Sequence, residues 1–274
     1  MDKAHKQTDR LLAGLEYELK KMYSKKFKDL KSKVIEIYSE MDLSKAKTPL
    51  ERYTLAQKYK RLDKAKELFS VGLNEVNKQA VTDTNNKMFE IYKTNYSAGL
   101  DNLGVLLAIT IPNKYNQPET KTELKEEPQP FNKIALDNMK DIYDLRKEVN
   151  RQFINGIMQG DSPNQLVKRL QKITELKLSD ITRIARTQTT RLENKGRLDA
   201  YQSVADMGYE VIKTWVAVGD GKTRHAHKVA DGQTVDFDKP FIVDGEELMQ
   251  PGDPNGSAGN IINCRCTMLA GIKK

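Results

Sequence analysis

The chain has 274 residues, 38% of them apolar, 31% charged and 7% aromatic, and a formal net charge of +8. That length admits two ordinary domains or one large one, and so lean an apolar share favours extended helices with wet faces. Two cysteines exclude a disulfide framework, and the best apolar run, Leu103 to Ile111, falls far short of the roughly 20 residues that span a bilayer.

At the N-terminus, "MDKAHKQTDR" has no apolar stretch after its charges, so no signal peptide and a soluble intracellular protein are expected. Leu11, Leu15, Leu19, Met22, Leu30, Val34 and Ile37 then recur at helical spacing with lysines between them, which predicts an amphipathic helix from Asp9 to Met41. A second helix is expected from Thr48-Pro49, with proline in the first turn, through Leu68, and a third from Val71 to Tyr96. Residues 1–70 hold 18 Lys and Arg against 11 Asp and Glu. Residues 1–111 therefore read as a basic helical region.

Residues 112–131 carry four prolines among clustered charges and read as a linker. Residues 132–208 return to helix. One helix is expected from Asn132 to about Met158, stopping at Gly160. The next is opened by Ser162 as N-cap with Pro163 at its first position. Ser179 is expected to cap a further helix that ends at Met207-Gly208. Residues 165–200 hold 9 Lys and Arg against 4 Asp and Glu.

Residues 209–274 change character. "YEVIKTWVAV" is aromatic and β-branched, "PFIV" precedes an Asp244-Gly245 turn, and "IINCRCTML" can be a third strand, with glycine, proline and asparagine between them. The fold class expected is mainly α with a small α+β C-terminal domain, long amphipathic helices leading into a short-stranded, loop-rich sheet.

Both cysteines fall in that last segment, one residue apart. On a strand, Cys264 and Cys266 would project to one face and Arg265 to the other. Two of the three histidines, His225 and His227, are also two apart. Two thiolates with one or two imidazoles would fill most or all of a tetrahedral zinc site, and a small loop-rich segment with little core would gain from such a staple. The alternatives are two buried apolar thiols beside solvent-facing histidines, or a nucleophilic cysteine with a histidine base.

Taken as one pattern, "IARTQTTRLENKGRLDAYQ", "TWVAVGDGKTRHAHKVADGQTV" and "PFIVDGEELMQPGDPNGSAGNIINCRC" resemble the C-terminal domain of the phage Mu F-like minor head proteins, the phage head morphogenesis family. The resemblance rests on an Ala-Arg-Thr helix, Trp215, Asp220, Arg224, His227, Asp231-Gly232, Pro251-Gly252-Asp253-Pro254 and Asn263-Cys264-Arg265-Cys266. It departs at Gln188, where the family often has glutamate. It implies a minor capsid protein of a tailed bacteriophage or prophage that acts in head assembly near the portal. Its partners would be the portal protein, other capsid or scaffold proteins and double-stranded DNA, bound without sequence preference. Its place would be the virion head interior, with the host cytoplasm during assembly.

The resemblance also singles out His227, Cys264 and Cys266 as ligands of a structural Zn2+, with His225 or Asp220 as fourth. DNA contact is expected from Lys168, Arg169, Lys172, Arg183, Arg186, Arg191, Lys195 and Arg197, since phosphate contacts position a protein without reading bases. Trp215 reads as the core anchor of the sheet, and Arg224 as pairing with Asp220 to orient the His227 loop. This reading makes the protein no enzyme. The rival is a zinc-dependent hydrolase or nuclease working at His227, Cys264 and Cys266, although no H-E-x-x-H motif is present.

Overall fold

The computed structural model describes residues 2–113 and 132–273. The 112–131 linker reading lies, but for its first two residues, outside the described residues. Helices dominate, and short antiparallel strands follow them. The described residues group into two compact units: those of Met1–Leu15, Thr84–Pro130 and Arg183–Lys274, and those of Glu16–Asp83 and Phe131–Thr182.

Three long helices, α1 (Lys3–Ser39), α3 (Lys60–Leu107) and α5 (Pro163–Ala205), contribute residues to both units, while α2 (Pro49–Gln57) and α4 (Asn132–Gln159) lie in the second. Among the described residues, the regular elements of the second unit are all helices. Its core is a set of apolar stripes: Leu19, Tyr23, Leu30 and Val34 on α1, Leu62, Phe69, Leu73 and Val76 on α3, Leu145, Val149, Phe153 and Ile157 on α4, and Leu166, Leu170 and Ile173 on α5. Spacings of three and four residues put each set on one side of its helix.

Helix starts in this unit follow local chemistry. The Thr48 hydroxyl accepts from the Glu51 N–H while the Glu51 carboxylate takes the Thr48 N–H, with Pro49 at the first position. Ser162 and Gln165 form the same reciprocal pair ahead of Pro163. Gly160, at φ 72°, ends α4, and Arg52 of α2 donates to the Met158 carbonyl at 3.3 Å.

Several boundaries differ from expectation: α1 starts at Lys3, not Asp9, and α3 runs on to Leu107, not Tyr96. The chain breaks at Lys58-Tyr59, not near residues 68–71, because the apolar stripe from Leu62 to Leu103 is continuous and nothing in it terminates a helix. Ser179 caps nothing. It sits inside α5, where the stripe running from Leu170 and Ile173 to Ile181 and Ala185 keeps the helix intact.

In the first unit, α3 and α5 come close at glycine. A Cβ on Gly196 would stand 2.5 Å from the Tyr92 carbonyl oxygen, and one on Gly99 would stand 2.7 Å from the Ala200 Cβ. Five strands follow: β1 (Val211–Val216), β2 (Thr234–Asp236), β3 (Phe241–Val243), β4 (Glu246–Leu248) and β5 (Thr267–Ile272), with short helices α6 (His225–Val229) and α7 (Ala258–Ile261) between them. The sheet order is β2-β1-β5, all antiparallel, with Trp215 opposite Met268, and β3-β4 is a separate hairpin. Asp244 and Gly245 turn that hairpin with φ of 55° and 77°, the two left-handed residues of a type I′ turn.

Strand β1 alternates buried and half-buried residues, so Val211, Lys213 and Trp215 point inward. Val211 and Trp215, with Tyr96, Tyr201, Phe241, Leu248 and Met268, form the core that seats the sheet on α3 and α5. Beside it lies a buried polar network. His5 Nδ1 meets Glu193 at 2.7 Å, Thr267 donates to the same carboxylate at 2.7 Å, and Arg197 is held by Asp2 at 2.7 and 2.8 Å and by the Met268 carbonyl at 3.1 Å.

Candidate metal centre

His227 lies on α6, and Cys264 and Cys266 lie in the extended segment just before β5, not on the strand itself. The strand's geometry is nevertheless present there, with both cysteines buried and Arg265 between them exposed. His227 Nδ1 is 3.3 Å from the Cys266 sulfur and 3.6 Å from the Cys264 sulfur. All three ligand atoms lie within 4.8 Å of one another, and each residue is 2% exposed.

The surroundings fix these three groups. Thr190 of α5 donates to the Cys264 carbonyl, and Asn194, one turn on, donates to the Cys266 carbonyl at 3.1 Å. Asn263, at φ 54°, turns the chain into the pair and gives its N–H to Thr187 at 3.1 Å. The Trp215 ring stands edge-on to the His227 ring, with centroids 5.7 Å apart, and to Phe241 at 5.3 Å. On the far side of α6, the Asp231 carboxylate accepts the Ala217 N–H at 2.8 Å and Gly232 takes φ 78°.

The electrostatics favour one negative charge on the pair. The hydrogen bond with Cys266, reinforced by His227, holds the Cys264 thiol well below its ordinary value, and the same pairing together with burial pushes the Cys266 thiol up. Two sulfurs and a ring nitrogen facing one another are three metal donors. The spacing suits a tetrahedral ion. Zinc bonds of about 2.3 Å to sulfur and about 2.0–2.1 Å to nitrogen would separate N from S by about 3.6 Å, against 3.3 and 3.6 Å here. Among the described residues, His227 Nε2 is buried without a hydrogen-bond partner.

His225 does not join the group. It is exposed, and two residues along a helix turn a side chain about 200° from His227. Asp220 is also engaged elsewhere. Arg265 clamps both its oxygens at 2.8 Å, and the Lys222 N–H and Thr223 hydroxyl reach Oδ1 at 3.0 Å each, which holds the carboxyl far below its usual range. Arg224 donates to the Ile262 carbonyl instead of pairing with Asp220. It thus ties the His227 helix to the loop that carries the cysteines.

The basic side chains of α5 divide. Lys168, Lys172, Arg183, Arg186 and Lys195 are exposed, with Lys195 paired to Asp199. Arg169 is half-buried and pairs with Asp161, and Arg191 is half-buried beneath the loop of Gly252. Arg197 is 1% exposed, and its charge is spent on Asp2 and Glu193. It is a core residue with no surface to offer a phosphate.

Sequence reasoning missed Thr190 and Asn194. Their four-residue spacing places both on one face of α5, but nothing local shows that their partners are carbonyls more than seventy residues away.

Residues 147–269, which include the whole cluster, match the family described as Phage Mu protein F like protein. The chain is similar to Minor head protein GP7 of Bacillus phage SPP1, with 23% identity over 269 residues, covering 96% of this chain and 84% of that protein. It is also similar to NAD(+)--arginine ADP-ribosyltransferase EFV of Enterococcus faecalis, with 30% identity over 126 residues. That match covers 46% of this chain, which spans only 26% of the relative's length. No solved structure matches the chain. Among the described residues, no helix is long and apolar enough to cross a membrane.

Proposed function

We infer that this protein is a minor head protein of a tailed bacteriophage or prophage and acts in head morphogenesis. The observation that carries this reading is similarity to a phage minor head protein along nearly the whole chain, 96% of it and 84% of the relative. A shared module alone would leave the N-terminal helices unmatched. The Phage Mu F-like match over residues 147–269 supports the same role. The overlap with the ADP-ribosyltransferase takes in only 26% of that protein, and we read the present chain as non-enzymatic.

In this reading the protein resides in the phage head, having passed through the host cytoplasm during assembly. It contacts the portal and other capsid or scaffold proteins through its basic N-terminal helical region, residues 1–111. The exposed Lys168, Lys172, Arg183, Arg186 and Lys195 touch packaged DNA without reading its sequence. His227, Cys264 and Cys266 hold a structural zinc ion that closes the C-terminal segment, 209–274, onto α5. Bound there, zinc supplies cross-linking, and the chain's own groups orient the donors.

The decisive experiment is quantitative mass spectrometry of purified particles, with and without a stop codon in the gene. The protein should be present at a few copies per head, and the stop codon should yield defective heads. Its absence from particles, with normal heads in the mutant, would contradict the reading.

A further inference from the structure

Tetrahedral zinc needs four donors, and His227, Cys264 and Cys266 supply three. Among the described residues, no other His, Cys, Asp or Glu joins the group whose ligand atoms lie within 4.8 Å of one another. The two carboxylates nearest in sequence are committed elsewhere, Asp220 to Arg265 and Asp231 to the Ala217 N–H. His225 points away from the cluster.

Beside the three donors lies a cavity of about 20 Å3, lined by all of them and by Lys222, Arg224 and Arg265. A cavity needs roughly 10–15 Å3 to hold one water, so this one has room for a single water or small ion beside the donors. Two of its cations are fixed in place. Arg265 is clamped by Asp220, and Arg224 is anchored on the Ile262 carbonyl. Two thiolates would neutralise a dication, and the cavity's own lining then carries three basic side chains and no carboxylate, Asp220 and Asp231 lying outside it.

We propose that the fourth donor to the metal is not a protein group but an exchangeable small ligand in this cavity, solvent that gives way to a monatomic anion. The proposal rests on the metal reading above and deepens it. It makes the cluster a metal site with an anion-selective opening.

The test uses the full-length chain, reduced and loaded with cobalt(II) in halide-free buffer, and titrates it with bromide. One cobalt per chain should bind with a thiolate-to-metal charge-transfer band, and bromide should shift the ligand-field bands to a saturable end point. Arg265→Ala should weaken bromide binding by about tenfold, the scale of one lost charge-assisted contact. Cobalt bound with the thiolate band but indifferent to bromide would overturn the proposal while leaving the metal site standing. Failure to bind cobalt would overturn both. Bromide affinity unchanged in Arg265→Ala would remove the cationic rim from the account.

Discussion

The helical unit of Glu16–Asp83 and Phe131–Thr182 and the strands after Gly208 bury very different side chains. In the first, Leu145, Val149, Phe153 and Ile157 recur every four residues, and the same monotony marks α3 and α5. In the second, the buried set includes Lys213, His227, Gln250, Asp253, Asn260 and Thr267. Each of these reaches a specific partner: Lys213 donates to the Met249 carbonyl at 2.7 Å, and Asp253 accepts the Met249 N–H at 2.7 Å. An apolar stripe is a sum of many weak, interchangeable contacts. A polar closure depends on a few groups in place, and each becomes costly when its partner is lost.

The sharpest way to break this contrast is to remove the metal cluster. His227→Ala or Cys264→Ser should abolish metal binding and loosen the strands by at least about 5 kcal/mol, given the free energies that structural zinc contributes to small domains. Phe153→Ala should cost about 3–5 kcal/mol, whether or not a chelator is present. Thermal unfolding with and without chelator checks both. Equal chelator sensitivity in the two variants would erase the difference between the regions.

A smaller effect is expected at the helix contact of the first unit. Gly196→Ala places a methyl 2.5 Å from the Tyr92 carbonyl oxygen and 3.0 Å from the Tyr96 nitrogen. Backbone cannot give way as a side chain can, so the cost should be about 1–3 kcal/mol, read from denaturant midpoints. A neutral result would mean that the helices part without penalty.

The smallest effect concerns His5. Burial works against its charged form, but the hydrogen bond and charge of Glu193, helped by Asp9, outweigh burial and Arg197 and raise its pKa above 6.5. A raised pKa gives stability that is fully present below the unfolded value and lost as pH rises through the folded one. Melting temperature should therefore decline as pH rises from 6.5 through the folded value, and His5→Gln should flatten that decline. An identical slope in the variant would place the titration elsewhere.

The sequence made the helical unit readable because its signals are local. Period, Thr48-Pro49, Ser162-Pro163 and Gly160 each act within one or two turns. Ser179 misled because a capping residue type is tolerated in mid-helix once neighbouring apolar residues are packed. In the strands, Trp215, the Asp244-Gly245 turn and the His227, Cys264, Cys266 set could be seen in the residues. Arg197 could not, because it looks like its exposed neighbours, and its partner Asp2 is 195 residues away. Nor could the roles of Arg224 and Arg265, which exchange the partners that spacing suggests.

The most direct test of the central claim, that a metal held by His227, Cys264 and Cys266 closes the C-terminal strands, is amide hydrogen exchange on the untagged, reduced protein with and without a chelator. Chelation should speed exchange in β1 and β5 and in the segment around Cys264 and Cys266, and leave α4 and the Leu62–Val76 stretch of α3 unchanged. Uniform exchange in both states, with protection of β1 and β5 retained, would contradict it.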